Sequence, residues 1–334
     1  MLRIFVILCL FVLLAPQKHS LKSNPVTPGA LIVSADPLPL NDNDPAQVMA
    51  GPLRWLGSWE LTSTQKEFGS ISSMVIAADG SLLALSDSGT LMGFRVGAKG
   101  HVDGGRQFIA PLPVRPEERS WPAWKWDSES MVHDPVSGNY WVGFELINWI
   151  CRYSPGFIRV EDCVSRPEMW DWPKTGGAEA MVRLPDGRFL VFSEKKEGPD
   201  GGNEVLLFAN DPVDPATPTA LRLSYRPPQG YVPTDAVAID GNRLIVLNRR
   251  VTLAEGFTGS LALVDLPPLR PGAILNGRQI VRLAPPLLSD NYEALALSRE
   301  GGKQVIWVAS DDNFEFFQRT LLLKFALPDT WPTD

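Results

Sequence analysis

The stretch Glu179-Ala180-Met181-Val182-Arg183-Leu184-Pro185-Asp186-Gly187-Arg188-Phe189-Leu190-Val191-Phe192-Ser193-Glu194 decides the fold. An acid opens a short apolar run, Asp-Gly turns the chain, and a second apolar run ends on another acid. Asp-Gly between apolar runs marks a hairpin, because a tight turn needs positive φ at low cost. The same plan recurs four more times. Ser72-Ser73-Met74-Val75-Ile76 turns at Asp79-Gly80 into Leu82 to Ser86, and Glu129-Ser130-Met131-Val132 turns through Pro135 and Gly138 into Tyr140 to Phe144. Asp235-Ala236-Val237-Ala238 turns at Asp240-Gly241 into Leu244 to Leu247, and Glu293-Ala294-Leu295-Ala296 turns at Gly301-Gly302 into Val305 to Ser310. From Met74 through Met131, Met181, Val237 and Leu295 the spacings are 57, 50, 56 and 58.

Further alternating runs follow each hairpin, so each repeat holds four strands. Four strands per repeat at this spacing predict an all-β fold, a β-propeller, in which no blade can bury both faces alone. The last repeat has room for one more strand, Thr320 to Ala326, and a strand near Arg54 to Leu61 would complete that blade and close the ring. Five four-stranded blades result; six would require a blade whose pattern is hidden. The 28 glycines and 30 prolines fit such a turn-rich fold, and 44% hydrophobic with 21% charged residues excludes disorder over most of the chain. With 38 acidic and 31 basic residues, a net charge of −7 argues against nucleic acid as a partner.

Arg3 precedes twelve apolar residues, Ile4 to Ala15. A membrane-spanning helix needs roughly 20, so residues 1–20 read as a secretory signal peptide, with an uncleaved anchor as the alternative. Residues 21–53, rich in Pro, Asn and Asp, read as a linker or loosely ordered arm, 54–327 as the propeller and 328–334 as a tail. After signal removal only Cys151 and Cys163 remain, and they either close a hairpin as a disulfide or stay free thiols. The location expected is secreted or periplasmic, with no stable membrane span.

Propeller topology gathers the start of each blade's first strand and the end of its second on one face. The start ring is Ser72, Glu129, Glu179, Asp235 and Glu293; the end ring is Asp87, Glu145, Glu194, Arg249 and Asp311. Eight of these ten are carboxylates, a crowding that a bound cation would offset. Calcium suits an oxygen-rich set, and only His101 and His133 survive signal cleavage as nitrogen ligands. The competing reading is that these acids cap turns and strand ends. Glu129, Glu179, Asp235 and Glu293 are the candidate catalytic acids, and Asp87, Glu194 and Asp311 the candidate metal ligands. Lys195, Arg249 and Arg319, with Arg250 nearby, could hold an anionic group. Trp124 and Trp126, in a Trp-rich loop on the same face, offer a binding platform or core packing. No Gly-x-Ser-x-Gly, His-Glu-x-x-His, Walker or Gly-x-Gly-x-x-Gly pattern occurs. Both histidines map to the opposite face, which disfavours a Ser-His-Asp triad.

The pieces Ser86-Asp87-Ser88-Gly89, Asp127-Ser128-Glu129, Glu179-Ala180-Met181, Ser193-Glu194, Asn291-Tyr292-Glu293-Ala294-Leu295 and Ser310-Asp311-Asp312-Asn313-Phe314 with Gln318-Arg319-Thr320 resemble the phytase-like family named for esterase-like activity of phytase. In place of the glycine often found there after the strand-start acid, this chain has Ser130, Ala180 and Ala294. The resemblance implies a propeller that hydrolyses phosphate or carboxylic esters of small molecules. The alternative function is a non-enzymatic propeller that binds a protein or glycan through its Trp-rich face.

Overall fold

A computed structural model describes residues 26–97, 100, 102, 107–115 and 122–331; the expected signal peptide and His101 lie outside the described residues. Five sheets form a five-bladed propeller. Blade 1 comprises Ile71–Ile76, Leu82–Ser86, Thr90–Phe94 and Phe108–Pro111, and blade 2 comprises Ser128–His133, Tyr140–Phe144, Trp149–Tyr153 and Val160–Val164. Blade 3 runs Ala178–Arg183, Phe189–Glu197, Asn203–Phe208 and Leu221–Arg226, with Ile274–Asn276 added in parallel at its edge. Blade 4 is Val232–Ala238, Arg243–Thr252, Gly256–Asp265 and Arg278–Leu283.

Blade 5 joins the two ends of the chain. Tyr292–Glu300, Lys303–Ser310 and Leu321–Ala326 take Leu53–Ser63 as their outer strand, with Leu323 opposite Ser58. The ring therefore closes as the sequence predicts.

Period-2 alternation explains the packing. In Leu82–Ser86, Leu82 and Ala84 face blade 5 while Leu83 and Leu85 face blade 2. One apolar cluster fills each of the five seams between neighbouring blades. The Asp-Gly turns of blades 1 and 3 take the positive φ that favours glycine, 78° at Gly80 and 94° at Gly187, whereas Gly241 in the blade 4 turn does not.

The N-terminal arm departs from expectation. Gly29–Ala30 pairs with blade 1 at Phe108, and Val33–Pro37 pairs with Leu53–Ser63 outside blade 5. Leu31, Leu40 and Leu53 are buried in the seams on either side of blade 5. These three leucines, spaced through a polar stretch, give no periodic signal. Residues 26–53 are thus part of the propeller wall, not a loose arm. Cys151 and Cys163 sit opposite each other on adjacent strands of blade 2 and are disulfide-bonded. No helix among the described residues is long and apolar enough to cross a membrane.

Candidate functional site

Each inner strand enters its blade through a register shift that leaves one residue unpaired. The skipped positions are Ser72 between Ile71 and Ser73, Glu129 between Ser128 and Ser130, and Glu179 between Ala178 and Ala180. In blades 4 and 5 they are Thr234, between Pro233 and Asp235, and Glu293, between Tyr292 and Ala294. A bulge re-aims its extra side chain, here toward the mouth of the channel. The start ring is therefore Ser72, Glu129, Glu179, Thr234 and Glu293, and the fourth repeat is offset by one residue from its sequence reading.

That offset removes Asp235 from the ring. It lies one level down, where its carboxylate accepts the N–H of Leu295 and of Ala236, each at 2.8 Å, and the hydroxyl of Ser73 at 3.4 Å. Ser73 in turn accepts the Met131 N–H at 3.0 Å, so four blades are tied across the axis. Asp235, expected as a catalytic acid, is 2% exposed and accepts donors on each oxygen, where it ties neighbouring blades together.

At the mouth the charges separate into two halves. Arg249 donates to Glu194 at 2.5 Å, to Asn291 at 3.1 Å and to Glu293. Lys195 Nζ lies 3.5 Å from Glu194 and stays half-exposed. Arg249, expected to hold an anionic group, is thus paired with two carboxylates, and Glu194, expected as a metal ligand, lies between Arg249 and Lys195. Burial pushes Glu293 up to about 8 even though Arg249 opposes the shift.

Across the channel lie the acids of blade 2 and its entry. Asp127, Glu129 and Glu145 bring ligand oxygens within 4.8 Å of one another, a grouping that could hold a metal ion. Asp127 ends the short helix Ala123–Trp126, and its carbonyl accepts the Glu145 N–H at 2.8 Å, which fixes the two together. Glu145 also accepts the Gly176 N–H. Burial first, then Asp127, Glu179 and Glu145, hold Glu129 well above the usual carboxylate range; burial, then Glu194 and Glu145, do the same to Glu179. Asp87 is pushed up to about 7 by burial and by Asp127, and Asp311 is raised by burial and by Asp87. An all-carboxylate set with no Cys or His suits a hard cation. Asp127 was visible only as part of the Asp127-Ser128-Glu129 motif, since it precedes the strand.

The aromatic residues divide. Trp126 packs edge-on against Phe144 at 6.1 Å and its Cβ lies 3.3 Å from where a Cβ on Gly89 would stand, so it is core rather than platform. Trp172 is buried and donates to Glu204 at 2.6 Å. Trp170 and Phe316, on loops that emerge at the acidic face, are 71% and 95% exposed. The Trp124 side chain lies outside the described residues. Arg319 remains half-exposed, 3.7 Å from Asp290. His133, at the far end of its strand, stacks on Tyr140 on the opposite face.

A family model described as "Phytase-like: Esterase-like activity of phytase" matches residues 66–314. No curated protein matches. Among solved structures, the chain is similar to an exo-1,5-alpha-L-arabinanase from a bovine ruminal metagenomic library, at 12% identity and a TM-score of 0.41 over 79% of this chain and 96% of that one. It is also similar to a Trichoderma reesei carbohydrate-active enzyme of family AA12, at 9% identity and a TM-score of 0.41 over 92% and 99%. Similarity to Kuenenia stuttgartiensis hydrazine synthase, at 12% identity and a TM-score of 0.37, covers 78% of this chain and 64% of that one, under two thirds of its length.

Proposed function

This chain belongs to the phytase-like family, and on that premise we propose that it is a secreted or periplasmic hydrolase of small phosphate or carboxylic esters that uses a divalent cation, calcium, at the mouth of the propeller. The observation that carries this reading is the convergence of Asp127, Glu129 and Glu145 at the mouth, with ligand oxygens within 4.8 Å of one another. These three carboxylates would hold the cation, and the bound cation would polarise the ester or phosphoryl oxygen. Glu179 borders this group, and burial and its acidic neighbours hold its carboxyl well above the usual carboxylate range, as a proton donor requires. It donates its proton to the leaving alcohol oxygen as that bond breaks, and recovers one from the attacking water. Lys195, with its free exposure, steadies an anionic oxygen of the substrate. A disulfide between Cys151 and Cys163 fits an oxidising compartment.

Turnover of p-nitrophenyl phosphate and p-nitrophenyl acetate, in EDTA and in millimolar calcium, tests the proposal. Calcium-dependent turnover that falls about 100-fold in Glu179→Gln is expected. Equal turnover in EDTA would sink the metal role. Calcium binding without turnover of either ester would leave a binding propeller, for which exposed Trp170 is the first contact to substitute.

A further inference from the structure

Three separate connections carry exposed apolar side chains on the mouth face. Trp170 lies between blades 2 and 3, where its indole N–H donates to the Ser165 hydroxyl at 3.1 Å while the ring stays open to solvent. The second and third strands of blade 4 run past Arg249 as a hairpin, whose tip leaves Val251 and Leu253 exposed. In blade 5 the connection from Asp312 to Gln318 exposes Phe314, Phe316 and Phe317, and Phe316 is almost wholly in solvent.

These tips are held in place by polar contacts beneath them. Asn313 and Phe314 take φ of 48° and 52°, left-handed values that a phenylalanine rarely adopts. Their N–H groups donate to Asp311 at 2.6 Å and to Asp312 at 3.1 Å, and the Glu315 N–H donates to the Asp312 carbonyl at 2.7 Å. Strain of this kind persists only where the surroundings impose it, and it gathers at segments that bind. Phe316 and Phe317 meet edge to face at 5.3 Å. On blade 4, Arg250 bonds to Glu255 across the tip at 2.7 Å and lies over the Tyr231 ring, and the Glu255 N–H donates to the Thr252 hydroxyl at 3.2 Å.

We propose that the mouth face docks on a zwitterionic phospholipid surface, with these tips seated among the headgroups and upper acyl chains. Three points set apart around a rim meet a plane together, whereas a small ligand would need them gathered. Aromatic and aliphatic side chains suit that interface, the rings at headgroup depth. Each tip also has a cation and a carboxylate beside it. Lys196 pairs with Asp171 at 2.8 Å next to Trp170, Arg250 with Glu255 around Leu253, and Arg319 with Asp290 at 3.7 Å just past Phe317. Such pairs match headgroups that carry a phosphate and an amine, since each can open toward the opposite charge. A net charge of −7 opposes an anionic surface and leaves a zwitterionic one accessible. Docking stands whether or not the hydrolase reading holds; where it rests on that reading, lipid esters are the substrates that the mouth meets.

Co-sedimentation of the full chain with phosphatidylcholine vesicles in EDTA, where no divalent cation bridges acids and phosphates, tests it. The wild type is expected to sediment, at high salt as well, and Phe316→Ser and Leu253→Ser each to weaken binding about tenfold. Val136→Ser, at an exposed turn on the opposite face, is expected to bind as the wild type does. Circular dichroism checks that the variants fold. Sedimentation that all three variants retain, that Val136→Ser also weakens, or that high salt abolishes would overturn the proposal. Binding only to vesicles containing phosphatidylglycerol would overturn the zwitterionic surface, and no sedimentation at all would overturn docking. A dimer in size-exclusion chromatography that Phe316→Ser dissociates would assign the tips to a second copy and overturn it too. None of these readouts involves ester turnover, so docking and hydrolysis fail separately.

Discussion

Blades 2 and 4 have the same bulge and the same strand-end position, and they fill them with opposite chemistry. Blade 2 places Glu129 and Glu145 there and adds Asp127. Blade 4 places Thr234, whose hydroxyl donates to the Leu247 and Tyr292 carbonyls, and Arg249, which gathers Glu194 and Glu293. Ser72 in blade 1 repeats the Thr234 pattern, donating to the Leu85 carbonyl and, at 2.6 Å, to that of Ser128 in the next blade. Hydroxyls at the bulge therefore staple neighbouring blades, whereas glutamates at the bulge leave the staple out and put charge at the mouth. Seven of the ten mouth positions are carboxylates, and the one guanidinium among them draws Glu194 and Glu293 together.

The largest effect expected is on the neutralised half. Removing one partner of a buried ion pair costs about 3–5 kcal/mol, since the charge left behind is uncompensated. Arg249→Met is expected to lose stability on that scale in urea unfolding. The loss is smaller at pH 5 than at pH 8, because Glu293 and Glu179 take up protons when their counter-charge is gone. The wild-type chain in EDTA shows the same sign more weakly. Asp87 and Glu293 have folded values near 7 and 8 against ordinary values of 3.8 and 4.5. Their contribution is full below the ordinary values and fades as pH rises through 7 to 8. A melting temperature in EDTA that rose between pH 5 and pH 8.5 would contradict this assignment.

The second effect belongs to blade 2. Calcium at 100 times its Kd stabilises by about 2.7 kcal/mol per site, seen as a higher melting temperature than in EDTA. Glu145→Gln should reduce that response without lowering stability in EDTA, because it removes a charge from a crowded site. If Glu145→Gln instead destabilised the EDTA form as Arg249→Met does, the two blades would not differ in kind. Third, Asp235→Ala strips the acceptor from the buried Leu295 N–H and should cost about 1–3 kcal/mol, while leaving calcium affinity unchanged. A loss of calcium affinity would return Asp235 to the mouth.

Asp235 also marks where the sequence stops being legible. The hairpins announce themselves through Asp-Gly turns and alternating apolar runs, and the outer strand at Leu53–Ser63 through a blade left incomplete at the C-terminus. A bulge adds one residue without changing the alternation on either side, so Thr234 and Asp235 offer two registers that differ only in which one faces the axis. The adjacent pair Thr-Asp looks like the acid start of the other repeats, and the acid is the wrong choice. Asp127 was legible only inside its motif for a different reason: it sits in the connection before the first strand, where no periodicity applies and only the fold brings it beside Glu145. Arg249 was visible as a cation among acids, yet pairing and substrate capture differ by an ångström or two that spacing does not encode.

The smallest effect tests the boundary between the two halves. Lys195 follows Glu194 on blade 3, its stem packs over Gly176, and its Nζ lies 3.5 Å from both Glu194 Oε2 and Thr175 Oγ1. At 53% exposure such a pair contributes about 0–1 kcal/mol, so Lys195→Ala should unfold almost as the wild type does. Arg249 is locked between two carboxylates, whereas Lys195 can leave Glu194 for an incoming anion at little cost. Lys195→Ala is therefore expected to raise KM for p-nitrophenyl phosphate and to leave KM for p-nitrophenyl acetate unchanged, since the neutral ester brings no charge for the ammonium to meet. Equal changes for both esters would assign Lys195 to the shape of the mouth, and Arg319, half-exposed beside Asp290, would then be the cation to substitute next.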